Sequence, residues 1–199
     1  MDTVSAVGRG YTHSETFFGK ITALQTASLR EILQGKLPEV ATHVFIWFTL
    51  QDGSTVYYEA LIGKGWTGPH PIEKVIGWQK AHPKRRLRLY ELTECLHITA
   101  PDMRSRLYWA EKKKTKWEYS PWQLLLQFRW QRVARRFLGH SFAKPSADKV
   151  ICSEAAALLL DNPPFFDTRR KCGVTDFDLI NPAMLERVDA KCGKLLTII

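Results

Sequence analysis

Residues 42–50, THVFIWFTL, are followed by QDGS at 51–54 and then by TVYYEALI at 55–62. The two outer runs are rich in β-branched and aromatic side chains, which pack well on a pleated surface. Asp52-Gly53 between them is a strong short-range signal for a turn, so the stretch predicts an antiparallel hairpin. His43 stands at the head of the first strand and Glu59 lies in the second. Closing the hairpin about Asp52 and Gly53 therefore brings an imidazole and a carboxylate toward each other. An ordinary cross-strand polar pair would look the same, and sequence alone leaves both readings open.

Outward from the hairpin, GKGWTGP (63–69) reads as a Gly-rich loop, PIEKVIGWQK (71–80) as a short helix and RRLRLYEL (85–92) as a third strand. Upstream, residues 1–15 are polar and Gly-containing and read as a flexible N-terminal arm. Residues 17–37 carry apolar positions at helical spacing, with Gly35 as the stop. Downstream, PDMRSRLYWAEKKKTK (101–116) predicts a helix whose lysines gather at its C-terminal end, where cations complement the helix dipole. Ser120-Pro121 opens another helix that runs to Gly139, with Arg129, Arg132 and Arg136 sharing one face. KVICSEAAALLL (149–160) predicts a brief extended segment and an apolar helix, stopped by Asn162-Pro163-Pro164. NPAMLERV (181–188) has the start of a short helix. No repeat or low-complexity tract divides the chain, so residues 16–199 are expected to form one domain with a basic helical insertion around 101–140.

At 199 residues and 45% hydrophobic content, the chain can bury enough apolar surface to offset the entropy of ordering, which excludes a disordered protein. The net charge of +9 predicts attraction to polyanions without choosing among them. There is no basic segment followed by an apolar stretch at the N-terminus and no apolar run long enough to span a bilayer. A cytoplasmic location is expected, or a virion-associated one if a phage encodes the protein, with no stable membrane insertion. Cys95, Cys152, Cys172 and Cys192 form no CxxC pair and have no histidines at zinc-finger spacing. Reduced thiols are expected, with neither a metal nor a cofactor.

Cys152 opens the apolar helix. Backbone N–H groups at a helix N-terminus, here those of Ser153 and Glu154, favour a thiolate and can donate to an oxyanion. His43 at a strand end can project into a cleft while the strand holds it. Taken singly, a cysteine on an apolar helix and a histidine at a strand end are most often plain structural residues.

Their order is more informative. THVFIWF, YYEA, a Gly-rich GKGWTGP, KVICSEAAALLL and DFDLINPAML follow one another in a series that resembles the circularly permuted papain-like hydrolases. These are the YiiX-like branch of the NlpC superfamily, more distantly including lecithin retinol acyltransferase, in which a His-led strand precedes the cysteine-bearing helix. The resemblance implies an α+β fold with an antiparallel sheet packed on a central helix that carries the cysteine. It also implies Cys152 as nucleophile, His43 as its base and Glu59 as the orienting acid. Ser153 and Glu154 match the positions after the cysteine, Trp117 and Tyr119 the aromatic approach, and Asp176, Asp178 and Leu179 a later acidic element. The chain departs from the family in having SETFFGKI where a Gly-Asp strand entrance usually precedes the histidine, and in its load of Lys and Arg before Cys152.

The function so implied is a thiol hydrolase or acyltransferase that cleaves an amide or ester through a Cys acyl-enzyme. Its partner would be a peptide, cell-wall or lipid-linked acyl substrate. The alternative is a non-catalytic basic module that holds nucleic acid or another polyanion through Arg129, Arg132, Arg136 and Lys113, interleaved with Trp117, Trp122 and Trp130.

Overall fold

A computed structural model describes residues 4–13, 20, 23–24, 33–35, 40–82, 85–113, 118–119, 137, 149–150, 152–160 and 181–196. The fold is α+β. Strands β1 (Val4–His13), β2 (Ala41–Leu50), β3 (Thr55–Leu61), β4 (Gly65–Pro71), β5 (Arg86–Glu91) and β8 (Lys194–Leu196) form one sheet in the order β4-β3-β2-β1-β5-β8, antiparallel throughout. β6 (Glu118–Tyr119) and β7 (Lys149–Val150) pair in parallel as a small separate ladder. The helices among the described residues are α1 (Ile72–Ala81), α2 (Ala100–Lys113), α3 (Cys152–Leu160) and α4 (Pro182–Cys192).

The expected hairpin is present as β2 and β3, with Phe45 opposite Glu59 and Thr49 opposite Thr55. Its turn is fastened by Asp52, whose carboxylate accepts from the Ser54 backbone N–H at 2.8 Å, while Gly53 takes the positive φ of 84°. The helices expected at 71–80, at 101–116, after KVI and at NPAMLERV are α1, α2, α3 and α4. Asn181 caps α4 by accepting from the Met184 N–H at 2.9 Å, with Pro182 entering the first turn where its missing N–H costs nothing. Of the helix expected over 17–37, residues 20, 23–24 and 33 are helical, and of the one from Pro121 residue 137 is; the rest of both lies outside the described residues.

Three expectations are corrected. Residues 4–13 are not a flexible arm: they form β1, hydrogen-bonded to β2 on one side and to β5 on the other. GKGWTGP is not a loop, because most of it forms β4 on the edge beyond β3. Cys95 and Cys192 are joined in a disulfide, with Cα atoms 5.5 Å apart, rather than kept as separate thiols. That bridge fastens the end of α4 to the segment after β5.

β1 reads as loose because of its glycines, yet the glycines are what let it sit at the centre. A Cβ at Gly8 would lie 2.4 Å from the Trp47 ring, and one at Gly10 would lie 2.1 Å from the Phe45 ring. The aromatic side chains of β2 thus lie across the bare backbone of β1. They form a core with Tyr57, Leu89, Ile72 and Val75, closed by α1. A larger core joins Val7, Tyr11, Val44, Ile46, Phe48, Tyr58 and Tyr90 of the sheet to α2, α3 and α4. Gly10→Ala is expected to force the Phe45 ring out of place and to lower unfolding free energy by about 1–3 kcal/mol. Urea denaturation should show this as a lower midpoint at an unchanged slope.

Candidate active site

Strand pairing brings the first two candidate residues together. His43 lies two residues before Phe45, and Phe45 faces Glu59 across the ladder, so side chains 43 and 59 share a side of the sheet. His43 Nε2 is 2.8 Å from Glu59 Oε2. That contact leaves Nδ1 as the ring nitrogen open to another partner, and Cys152 is near enough to raise the basicity of the ring. Cys152 is the first residue of α3, a buried free thiol, with Ser153 and Glu154 buried behind it in the first turn. The described residues therefore bring together His43, Glu59 and Cys152, from two strands and one helix.

Burial and charge act against each other here. Burial favours a neutral His43, but the charge and hydrogen bond of Cys152, followed by those of Glu59, outweigh it and raise the imidazole from 6.5 to about 10. Burial also pushes Glu59 up, but the hydrogen bond and charge of His43, helped by His70 and Lys74, bring it below the usual carboxylate value. The imidazolium is stabilised from both sides. The Cys152 residue is 4% exposed, whereas the His43 side chain is 23% exposed and Glu59 14%, so the trio meets solvent mainly at the ring.

Sequence reasoning missed Tyr57, whose hydroxyl hydrogen-bonds to Glu59 and whose ionisation is pushed up by burial and by that carboxylate. The signal was available, since Tyr57 and Glu59 are alternate residues of one strand and share a face. It also missed the support beneath α3. Arg9, fully buried on β1, donates from Nε to the Ala156 carbonyl at 3.3 Å and from Nη1 to Asp189 at 2.7 Å. The Tyr11 hydroxyl donates to the other Asp189 oxygen. Two residues along β1, His13 meets Glu186 at 3.0 Å, and Arg88 donates to the same carboxylate.

Of the remaining candidates, Lys113 ends α2 with its ammonium 5.6 Å from the Trp109 ring centre. Tyr119 lies in β6 and pairs with Val150, two residues before the cysteine. Arg129, Arg132, Arg136, Trp117, Trp122, Trp130, Asp176, Asp178, Leu179 and Cys172 lie outside the described residues. Among the described residues no group of three or more His, Cys, Asp or Glu side chains is placed to hold a metal ion, and no helix is long and apolar enough to cross a membrane. No family model, curated protein or solved structure matches the chain.

The raised His43 value has a signed consequence. The charged ring stabilises the folded state fully below its ordinary value of 6.5, and this contribution is lost as pH rises through about 10. Ring-proton NMR should find His43 titrating near pH 10 in the parent protein and well below that in Cys152→Ala. A midpoint unmoved by Cys152→Ala would mean that the sulfur does not sense the ring.

Proposed function

We propose that the chain is a thiol hydrolase or acyltransferase of the permuted papain-like type, with Cys152 as nucleophile, His43 as acid and base, and Glu59 as the orienting group. The observation that carries this reading is the position of His43, which is held by Glu59 through Nε2 and is coupled electrostatically to Cys152. A thiol needs help to ionise at neutral pH, and an adjacent imidazolium at a helix N-terminus supplies it. The order of strand histidine before helix cysteine, on an antiparallel sheet, supports the permuted assignment.

In the proposed reaction the Cys152 thiolate attacks the carbonyl carbon of an amide or ester, forming the S–C bond and moving the π electrons onto oxygen. The N–H groups at the start of α3, those of Ser153 and Glu154 among them, are suited to receive that oxyanion. As the tetrahedral intermediate collapses, the bond to the leaving amine or alcohol breaks and protonated His43 gives that group its proton. Neutral His43 then takes a proton from water or another acceptor, which attacks the thioester and releases Cys152. Glu59 keeps Nε2 engaged and the ring turned toward the sulfur throughout. Peptide, cell-wall and lipid-linked acyl groups all suit this chemistry.

Two measurements test the reading. Alkylation near pH 6 followed by peptide mapping should label Cys152 ahead of Cys172, and His43→Ala should slow that labelling by at least about tenfold. Equal, slow labelling of both thiols would sink the proposal. Turnover of a generic thioester should vanish in Cys152→Ala and fall by about ten- to a hundredfold in Glu59→Gln, because an orienting group contributes less than the nucleophile it serves.

A further inference from the structure

The inner face of α2 is fixed to the sheet. The Trp66 indole donates to the Ala110 carbonyl at 2.9 Å, the Tyr58 hydroxyl donates to Glu111, and Met103 and Ala110 are buried in the larger core. The opposite face carries Arg104, Tyr108, Trp109 and Lys112, all exposed, and Leu158 of α3 stands beside it across a groove. Tyr108 is 47% exposed, Trp109 45% and Leu158 40%, and Trp109 links the other two, with its ring centre 6.4 Å from that of Tyr108 and its side chain lining the groove beside Leu158. Lys112 lies 5.6 Å from the Tyr108 ring centre and 5.4 Å from that of Trp109.

Both acids of α2 accept hydrogen bonds from neutral donors and keep their charge. Asp102 accepts from the Thr99 backbone N–H at 3.1 Å and from its hydroxyl, and Glu111 accepts from Tyr58. Along α2 the cations Arg104, Arg106, Lys112 and Lys113 outnumber the acids Asp102 and Glu111 by four to two, so the face is apolar with a cationic excess. The groove between the helices, about 480 Å³, is lined in part by Asp102, Ser105, Arg106, Trp109, Lys113 and Leu158.

We propose that this face of α2, with Leu158, docks the protein on the surface of an anionic bilayer. Trp109, Tyr108 and Leu158 enter the boundary between headgroups and acyl chains, while Lys112, Lys113 and Arg104 lie among the lipid phosphates. Aromatic rings with a polar edge and long cationic side chains that extend past apolar groups are what a peripheral helix needs at that depth. The geometry suits a bilayer better than a nucleic-acid strand. The Tyr108 and Trp109 rings meet at 73°, edge to face, so they do not present parallel faces to successive bases, and Leu158 offers no face at all. Leu158 is six residues along α3 from Cys152, roughly 9 Å at the α-helical rise, so the docking face and the thiol occupy opposite ends of one short helix.

Sedimentation with phosphatidylcholine vesicles, and with vesicles of phosphatidylcholine and phosphatidylglycerol in equal parts, tests this directly. The protein should bind the anionic vesicles, and brominated acyl chains should quench part of its tryptophan fluorescence. Trp109→Ala should weaken binding by about tenfold and remove that quenching, since it deletes the largest inserted side chain. Trp109→Phe should retain most of the affinity, and Lys112→Ala should cost about fivefold. Binding unchanged in Trp109→Ala would overturn the proposal, because it would trace adhesion to net charge alone. So would a thymidine oligomer that binds in place of the vesicles and is lost in Trp109→Ala, which would make this a nucleic-acid face. Thioester turnover in detergent-free buffer should be the same in Trp109→Ala as in the parent, so the outcome is independent of the reading of Cys152.

Discussion

The fully buried guanidinium of Arg9 is the constraint on which the arrangement of helices depends. It reaches from the central strand to the Ala156 carbonyl on α3 and to Asp189 on α4, while Tyr11, next but one on β1, secures the second Asp189 oxygen. Burial is the largest influence on Asp189 and raises its carboxyl in spite of Arg9, so the pair is not a source of net stability. What it supplies is position. A charge that has lost its water is satisfied only by particular partners, and sliding α3 by one turn would leave Arg9 without its carbonyl. Because Ala156 is one turn beyond Cys152, fixing one fixes the other.

The central strand meets two demands that ordinarily conflict. On one side it must admit the Phe45 and Trp47 rings, which only Gly10 and Gly8 allow. On the other it carries Arg9, Tyr11 and His13, whose polar atoms end on α4 at Asp189 and Glu186. Carboxylates at positions 186 and 189 are three apart and therefore face the sheet together. The disulfide between Cys95 and Cys192 closes the same helix from its far end.

These demands explain what could be read from the sequence. The β2–β3 hairpin and its His43–Glu59 pair were legible because both depend on residues close in sequence, with the turn marked by Asp52 and Gly53. α1, α2, α3 and α4 were legible from periodicity and capping residues. β1 was not, since its glycines resemble a loop and its Arg9, Thr12 and His13 resemble a solvated surface, although all three are buried. β4 was hidden in the same way by Gly65, Gly68, Pro69 and Pro71. β8 is three residues long and owes its place to pairing with β5, which no local pattern announces. The approach of Cys152 to His43 is tertiary, and only the order of motifs hinted at it.

His43, Glu59 and Cys152 on one hand and the surplus of cations on the other obey different electrostatics. The His43 ring lies 2.8 Å from the Glu59 carboxylate and both side chains are largely buried, so added salt barely alters that pair. Lys112, exposed at the surface, has its ammonium 5.6 Å and 5.4 Å from two exposed ring centres and is subject to the full ionic strength of the solution. A net charge of +9 therefore says nothing about the chemistry of Cys152, and the chemistry of Cys152 does not account for the charge. The buried Cys152 and the exposed Leu158, at opposite ends of α3, therefore answer to separate electrostatics.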